Sequence, residues 1–377
     1  MKQADGLQWA NGPEPVALAP GLCRRPNPCF RFGMSGNARY ARNMKRLVQL
    51  KHREKGRRVA VVDEGQLKLL QRHGSIYELA QVALAANRSL EQAVIDSSAG
   101  ESLDYEAVHS LKSDWRLLPA FDHPEEPARC LVTGTGLTHR KSAENRQAMH
   151  ANTQQGPVTD SMRMYQWGLE GGRPATGRIG VAPEWFYKGC GTILRAHGEA
   201  LEVPAFGLDG GEEAEVAGAY IVGTDGVPRR VGLVLGNEFS DHKMEQQNYL
   251  YLAPSKLRTC AIGPELIVNG EFQDVQGRAS IWRGEKKIWS KPFATGEANM
   301  SHTVANLEHH HFKYPAHRRP GDAHIHFFGA DAFSFGEGIE LAEGDMMEIE
   351  LANFGRPLRN PIRIDRSKQE LLTIVSV

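Results

Sequence analysis

The chain has 377 residues, of which 41% are hydrophobic and 24% are charged, so it can bury a substantial core. Its 45 basic residues balance its 45 acidic residues, which argues against nucleic acid or an anionic membrane as the main partner. Five cysteines without a C-x-x-C pair disfavour a disulfide framework or a zinc ribbon and suit a reducing cytoplasm. The sequence contains no apolar run long enough to predict a membrane span. The N-terminus lacks the basic start and apolar core of a secretory signal.

The N-terminal third of the chain divides by composition. Residues 1–43 are rich in Pro, Gly, Arg and Asn without a sustained period, which predicts a disordered extension with Met44 as the true start. Residues 44–118 read as a small α+β domain, which ends before a polar linker around Pro119. Its predicted strands are Met44–Leu50, Arg57–Asp63 and Gln66–Leu70, and its predicted helices are Tyr77–Asn87 and Ser89–Ile95.

From about residue 125 to residue 377 the chain is rich in strand and glycine, which predicts an irregular β-barrel or β-roll. The fold class is therefore α+β and mostly β. One helix is predicted over Met300–Phe312, with Ser301 as its cap. The predicted strands are Cys130–Thr133, Glu215–Val222, Gly232–Asn237, Glu265–Val268, Ala279–Trp282, Ala323–Phe328 and Met346–Leu351.

Three glutamates form the most informative pattern. Glu213 and Glu215 are two residues apart, so on a strand they share a face and repel each other unless a cation or protons intervene. Glu238 follows the apolar strand Gly232–Asn237 and can complete the set. Hard cations such as Mg²⁺ and Ca²⁺ prefer such oxygen ligands, although an E-x-E pair is also common on a solvated strand edge.

A second candidate group follows two glycine turns at Gly134 and Gly136. The segment carries His139, Arg140, Lys141, Ser142 and Glu144. Histidine is the usual general base near neutral pH, and a carboxylate orients its ring. The alternative is an ordinary helix start capped at Ser142 with a surface histidine.

The remaining histidines have plainer explanations. Residues 309–311 are all histidine, and successive helical residues point about 100° apart, so one is expected to pack inward and two to be exposed. His324 and His326 share a strand face, where a filled sheet face is the expectation and a zinc site the alternative.

The order of these segments over residues 125–365 resembles the fumarylacetoacetate hydrolase family. In that family an E-x-E strand is followed by an apolar strand with a terminal acid, a lysine, G-P, V-N-G and P-G-D. Pro183–Lys188 is similar to the P-x-F-x-K-P strand of the family. The other counterparts are Glu213-Ala214-Glu215, Asn237-Glu238, Ser255-Lys256, Gly263-Pro264, Val268-Asn269-Gly270, Arg319–Asp322 and Phe354–Asn360.

The resemblance implies a mixed β-roll, a homodimer and a divalent cation, Mg²⁺ or else Mn²⁺ or Ca²⁺. The implied metal ligands are Glu213, Glu215 and Glu238, the last of which replaces the usual aspartate. The implied catalytic residues are His139 and Glu144, five residues apart where the family often has H-x-x-E. The residues assigned to substrate binding are Lys256, Arg140, Ser142 and His242. At the position of His242, many members of the family carry Arg.

The sequence is most similar to the sugar-acid branch of that family, which leaves three functions open. The first is hydrolysis of a C–C bond in a 2,4-diketo-3-deoxy sugar acid, which gives pyruvate and a hydroxy acid. The second is dehydration of a 2-keto-3-deoxy sugar acid by loss of its C4 hydroxyl. The third is a sugar-acid binding module without turnover.

Overall fold

The structure is a computed structural model that describes residues 45–97, 99–150 and 158–377. The predicted N-terminal extension lies outside the described residues. The first elements are β1 (Arg46–His52), β2 (Gly56–Asp63), β3 (Gln66–Leu70), α1 (Ile76–Ala85), α2 (Leu90–Asp96), β4 (Ala99–Asp104), α3 (Tyr105–His109) and β5 (Arg116–Leu117).

Strands dominate the rest of the described chain. They are β6 (Cys130–Gly136), β7 (Glu184–Cys190), β8 (Leu194–Arg195), β9 (Leu201–Val203), β10 (Ala214–Val222), β11 (Pro228–Asn237), β12 (Cys260–Ile267), β13 (Val275–Arg283), β14 (Lys286–Thr295), β15 (Ala323–Phe327), β16 (Met346–Leu351) and β17 (Leu358–Ile364). The helices among them are α4 (Arg140–His150), α5 (Asp160–Gly171), α6 (His242–Gln247), α7 (Leu252–Lys256) and α8 (Val304–Phe312).

Within the described ranges, the strands form two mixed sheets of twelve and five strands. The larger runs β4-β3-β2-β1-β12-β11-β10-β15-β6-β7, with β5 beside β1 and β8 beside β12. The smaller runs β14-β13-β16-β17-β9. The predicted α+β, mostly β fold is confirmed. Since β1 pairs with β12, the N-terminal strands continue the large sheet. The predicted division into residues 44–118 and 125–377 stays a prediction.

Apolar residues cover both faces of the large sheet. On one face, Leu79 of α1 and Val94 of α2 belong to a core that includes Ile325 of β15. On the other face, Val216 and Leu235 pack with the apolar side of the smaller sheet. Strands buried on both faces read as continuous apolar runs, and this explains why β10 is buried along its whole length.

Helix α8 begins later than the sequence predicts. Its first residue is Val304, and the side chain of Thr303 accepts a hydrogen bond from the Asn306 amide as the N-cap. The predicted cap, Ser301, instead donates its hydroxyl to the Thr138 carbonyl at 3.1 Å. The shift places the helix against β15.

In the described chain, no helix has both the length and the apolar character needed to cross a membrane.

A buried histidine layer lies between α8 and β15. His310 and His311 are both buried, so the expectation of a single inward histidine was wrong. His311 Nε2 lies 3.0 Å from His324 Nδ1, and His326 Nδ1 lies 2.8 Å from the Thr133 hydroxyl. Because these histidines are buried and contact one another or Thr133, side chains fill this face.

We expect this histidine layer to make folding sensitive to acid. Burial lowers the pKa of both His324 and His326 to about 3, so they stay neutral in the native state while the unfolded chain protonates them near pH 6.5. The unfolded state therefore binds more protons below pH 6.5, and the free energy of unfolding falls by up to about 1.4 kcal/mol per pH unit per histidine.

Urea unfolding between pH 7 and pH 4 measures this dependence. His326→Gln should reduce the slope by about one proton relative to the unmodified protein. An identical slope for His326→Gln and the unmodified protein would contradict the assignment.

Candidate metal centre

Three carboxylates meet at one end of the β10–β11 hairpin. One oxygen each from Glu213, Glu215 and Glu238 lies within 4.8 Å of the others, and all three residues are buried. Strand pairing sets this arrangement, because Ala214 pairs with Asn237 and the Glu238 amide donates to the Glu213 carbonyl at 3.0 Å. The start of one strand therefore lies beside the end of the next, as the sequence predicts.

Two buried lysines compensate part of this negative charge. Lys188 Nζ, from β7, lies 2.5 Å from Glu238 Oε1 and donates to the Phe239 carbonyl at 2.7 Å. Lys256 Nζ, at the end of α7, lies 2.9 Å from Glu213 Oε1 and 2.8 Å from Glu238 Oε2. Both lysine side chains are at most 2% exposed, so each charge depends on these carboxylates.

The backbone turn after Glu238 orients the Phe239 carbonyl and the Ser240 hydroxyl toward the lysines and Glu238. Phe239 has a φ of 36°, a left-handed conformation that is rare for an aromatic residue. The turn directs the Phe239 carbonyl toward Lys188. It also lets the Ser240 hydroxyl donate to Glu238 Oε2 at 2.9 Å while accepting from Lys256. The longer side chain of Glu238 is thus held at both oxygens.

His242 forms one wall of the cluster. Its Nε2 lies 2.9 Å from Glu213 Oε1, and its ring stacks on Phe333 with 5.1 Å between centroids. Burial lowers its pKa, but the Glu213 carboxylate outweighs burial and the net pKa is raised. The Glu213 carboxylate therefore stabilises the protonated imidazole, which lies against the cluster.

A second buried ion network borders the first. Arg146 of α4 contacts Glu184 of β7 at 3.3 Å and Glu245 of α6 at 3.2 Å. Glu245 in turn lies 3.3 Å from Lys256 Nζ. Burial raises the pKa of Glu184, and its Oε2 has no hydrogen-bond partner among the described residues. A buried carboxyl with a free oxygen and a raised pKa is a candidate proton donor or acceptor.

The pKa values of Glu213 and Glu215 are shifted in opposite directions. Burial and the neighbouring Glu238 raise the pKa of Glu215 well above its usual range. For Glu213, burial is outweighed by the Lys256 ammonium, and the pKa lies well below its usual range. The cluster thus holds one glutamate that the lysines leave uncompensated.

The residues present fit a hard divalent cation. All three candidate ligands offer carboxylate oxygens, which Mg²⁺, Mn²⁺ and Ca²⁺ prefer. The raised pKa of Glu215 means that its carboxylate form is disfavoured without a cation, and a bound cation would stabilise that form. Glu215 Oε2 accepts the Gly329 amide at 2.7 Å, which fixes the carboxylate in place.

Among the described contacts, Lys256 and His242 touch the cluster, whereas those of His139, Arg140 and Glu144 lie elsewhere. His139 is buried between the Thr138 and Thr295 hydroxyls, at 2.9 and 3.1 Å. Glu144 instead pairs with Arg140 at 2.7 Å on the outside of α4, where the Arg140 side chain is 78% exposed. The predicted contact of Glu144 with His139 is therefore not formed, and the catalytic roles stay predictions.

Ser142 is buried on α4, and no described contact joins its hydroxyl to the cluster. Sequence reasoning missed Glu184, Glu245 and Arg146. For Glu184 a signal was present, because it lies in the Pro183–Lys188 segment that resembles a family strand. Arg146 and Glu245 lie on helices whose packing only the fold reveals.

No protein-family model matches the sequence, and no curated protein matches it. Solved structures do match. A 2-keto-3-deoxyarabinonate dehydratase shares 19% identity at a TM-score of 0.63, over 85% of this chain and 100% of that chain. The same type of enzyme, 2-keto-3-deoxy-D-arabinonate dehydratase, was solved with magnesium and 2,5-dioxopentanoate, and matches with 18% identity, the same score and the same coverage.

A 5-carboxymethyl-2-hydroxymuconate delta-isomerase from Mycobacterium smegmatis shares 15% identity at a TM-score of 0.52, over 85% of this chain and 100% of that chain. At such identities the likeness concerns the fold. The chain has the fold of the fumarylacetoacetate hydrolase family, which confirms the resemblance that the sequence shows.

We expect Lys188 to be essential for the stability of the metal-free protein. Lys188→Met leaves the Glu238 carboxylate buried with one cation fewer, which should lower the free energy of unfolding by about 3 kcal/mol. The double variant Lys188→Met/Glu238→Gln removes both charges and should recover most of that loss.

Urea denaturation of the metal-free protein measures both variants. The exposed pair of Lys243 with Glu340 provides the control, because Lys243→Met should cost less than about 1 kcal/mol. Equal destabilisation by Lys188→Met and Lys243→Met would argue against a compensating role for Lys188.

Proposed function

We propose that the protein is a metal-dependent dehydratase that acts on a 2-keto-3-deoxy sugar acid. The observation that carries this proposal is the buried set of Glu213, Glu215 and Glu238, ringed by cations. Support also comes from the fold, which is shared with a dehydratase of such an acid that was solved with magnesium.

In this proposal Glu213, Glu215 and Glu238 hold Mg²⁺, with Mn²⁺ or Ca²⁺ as alternatives. When bound, the ion would stabilise the negative charge that develops on the oxo group of the substrate. The shielding of the three carboxylates from water strengthens their interactions with any cation or substrate charge.

Lys256 and His242 would bind the keto-acid head of the substrate. Burial lowers the pKa of Lys256, but three nearby carboxylates, Glu213 first, outweigh burial and raise it well above its usual range. Lys256 is therefore a fixed ammonium that can donate to a carboxylate or an oxo oxygen. His242, whose Nε2 also contacts Glu213 Oε1, would provide a second polar contact beside Lys256.

Glu184 is the group that we assign to proton transfer. As the carboxylate it would take the proton from C3 of the substrate, and as the acid it would return that proton to the departing C4 hydroxyl. The C3–H and C4–O bonds break, a C3–C4 double bond forms, and hydroxide leaves as water. Arg146, 3.3 Å away, holds the carboxyl in position while its Oε2 stays free.

Hydrolysis of a C–C bond in a 2,4-diketo-3-deoxy acid is the second candidate. Burial lowers the pKa of His139 to about 4, so the imidazole is neutral at pH 7 and able to accept a proton from water. Its partners are threonine hydroxyls, and a carboxylate that would stabilise the resulting imidazolium is absent among its described contacts. This environment disfavours His139 as the base of the hydrolysis.

Product analysis distinguishes the candidates. With Mg²⁺ or Mn²⁺, the purified protein should remove one water molecule from a 2-keto-3-deoxypentonate, as seen by mass spectrometry, and a chelator should abolish this turnover. Release of pyruvate from a 2,4-diketo-3-deoxy acid, without any dehydration, would establish the hydrolase instead. Absence of both products with Mg²⁺, Mn²⁺ and Ca²⁺ would leave the binding module.

Glu184→Gln tests the assignment of the proton-transfer group. It should lower kcat by about 10²–10⁴-fold, because one positioned acid–base group contributes that much. Metal affinity, measured by calorimetry, should change little, since Glu184 is outside the carboxylate triad. The control is Glu265→Gln, which removes another buried carboxylate at the Tyr105 hydroxyl and should leave kcat intact. Unchanged turnover in Glu184→Gln would refute the role.

A further inference from the structure

The imidazole ring of His242 is enclosed by its neighbours. It stacks on Phe333 at an interplanar angle of 21°, and the ring of Phe335 lies 5.1 Å from it at an angle of 36°. The backbone of Gly211 lies so close that a Cβ at this glycine would be 2.3 Å from His242 Nδ1. His242 is 1% exposed, so these neighbours decide where its ring lies.

Both phenylalanines belong to residues 329–337, which follow β15 and which we term the clamp loop. The two ends of this loop have their own anchors. At the first end the Gly329 amide donates to Glu215 Oε2 at 2.7 Å, and at the other end Glu337 Oε2 accepts an indole N–H of β14 at 2.8 Å. The buried Ser334 lies between the two phenylalanines in the middle of the loop.

Glu212 holds the middle of the clamp loop. Its Oε1 accepts the Ser334 amide at 2.6 Å, and its Oε2 accepts the Ser334 hydroxyl at 2.8 Å. Glu212 is 1% exposed, and hydrogen bonds shielded from water are stronger than exposed ones. Within the described residues Glu212 forms no ion pair, so its side chain serves this contact.

The position of Glu212 in the sequence links the clamp loop to the carboxylate cluster. Successive side chains of an extended chain point in opposite directions. Glu213 accordingly joins the cluster and lies 2.9 Å from His242 Nε2, whereas Glu212 reaches Ser334. Two consecutive glutamates therefore act on the same imidazole, one by direct contact and the other through the loop that packs on the ring.

We propose that Glu212 is a positioning residue, which fixes the His242 imidazole beside Glu213 by anchoring the two phenylalanines of the clamp loop. The proposal rests on the proposed function, in which His242 contacts the keto-acid head of the substrate. Without the anchor, the phenylalanines are free to withdraw and the imidazole is free to turn away from Glu213. Substrate binding should then weaken, while proton transfer by Glu184 is retained.

The metal ligands should be affected less than the substrate contact. Gly329, which holds Glu215, follows Phe328, whose carbonyl accepts the Thr138 hydroxyl at 2.7 Å. This anchor does not involve Glu212. Loss of the Ser334 contact should therefore leave the affinity for Mn²⁺ little changed, and this difference distinguishes a displaced imidazole from a general collapse of the site.

Glu212→Ala in the full-length protein tests the proposal. With histidine labelled by ¹³C at Cε1, the signal of His242 is the one missing from His242→Gln, and the ring currents of the adjacent phenylalanines separate it from exposed histidines. Glu212→Ala should move this signal toward the exposed position and raise KM for the keto acid about tenfold with kcat little changed. Glu212→Gln should preserve both, because its amide can still bond to the Ser334 amide and hydroxyl.

Glu348→Ala is the matched control. It removes another buried glutamate, which accepts hydrogen bonds from Trp282 and Arg359, and it should leave the His242 signal in place. Ser334→Ala removes the hydroxyl bond alone and should move the signal by a smaller amount, so it provides the test if Glu212→Ala does not fold.

An unmoved His242 signal in Glu212→Ala and Ser334→Ala would overturn the proposal. Equal movement in Glu348→Ala, or movement in Glu212→Gln, would overturn it as well. The signal is recorded without substrate. If the protein turns over no keto acid, the proposed function fails, and the signal still decides whether Glu212 positions the ring.

Discussion

The burial of more carboxylates than cations at the end of one hairpin is the constraint on which the structure depends. Glu213, Glu215 and Glu238 are removed from water by two packed sheets, and isolated buried charges of one sign are unstable. Lys188 and Lys256 offset part of the cost without removing it. The negative charge that the lysines do not offset would favour a divalent cation at this position.

The part of the site that obeys strand geometry could be predicted from the sequence. Glu213 and Glu215 lie on one face because they are two residues apart on an extended chain. The antiparallel pairing of β11 with β10 then brings Glu238, the residue after β11, beside them. These relations are local and periodic, so a single sequence displays them. Lys256 came from the resemblance alone, since an isolated lysine is usually solvated.

The remainder could not be predicted because it depends on contacts between distant elements. His139 and Glu144 are close in sequence, yet one faces the core while the other pairs with Arg140 in solvent. Arg146, Glu184 and Glu245 meet only when α4, β7 and α6 pack together. The sheet edge strands β9 and β14 were also not predicted, because β9 has only three residues and the half-exposed β14 lacks a clear apolar run.

The pairing of β10 with β11 also limits how this protein can diverge. Thr224 and Val227, at the far tip of the hairpin, are exposed, so insertions and deletions there leave the ladder in register. A single-residue insertion between Glu215 and Ala219 would turn both acids to the opposite face relative to the rest of the strand. Length variation among related chains should therefore concentrate at the tip and be absent from the first half of β10.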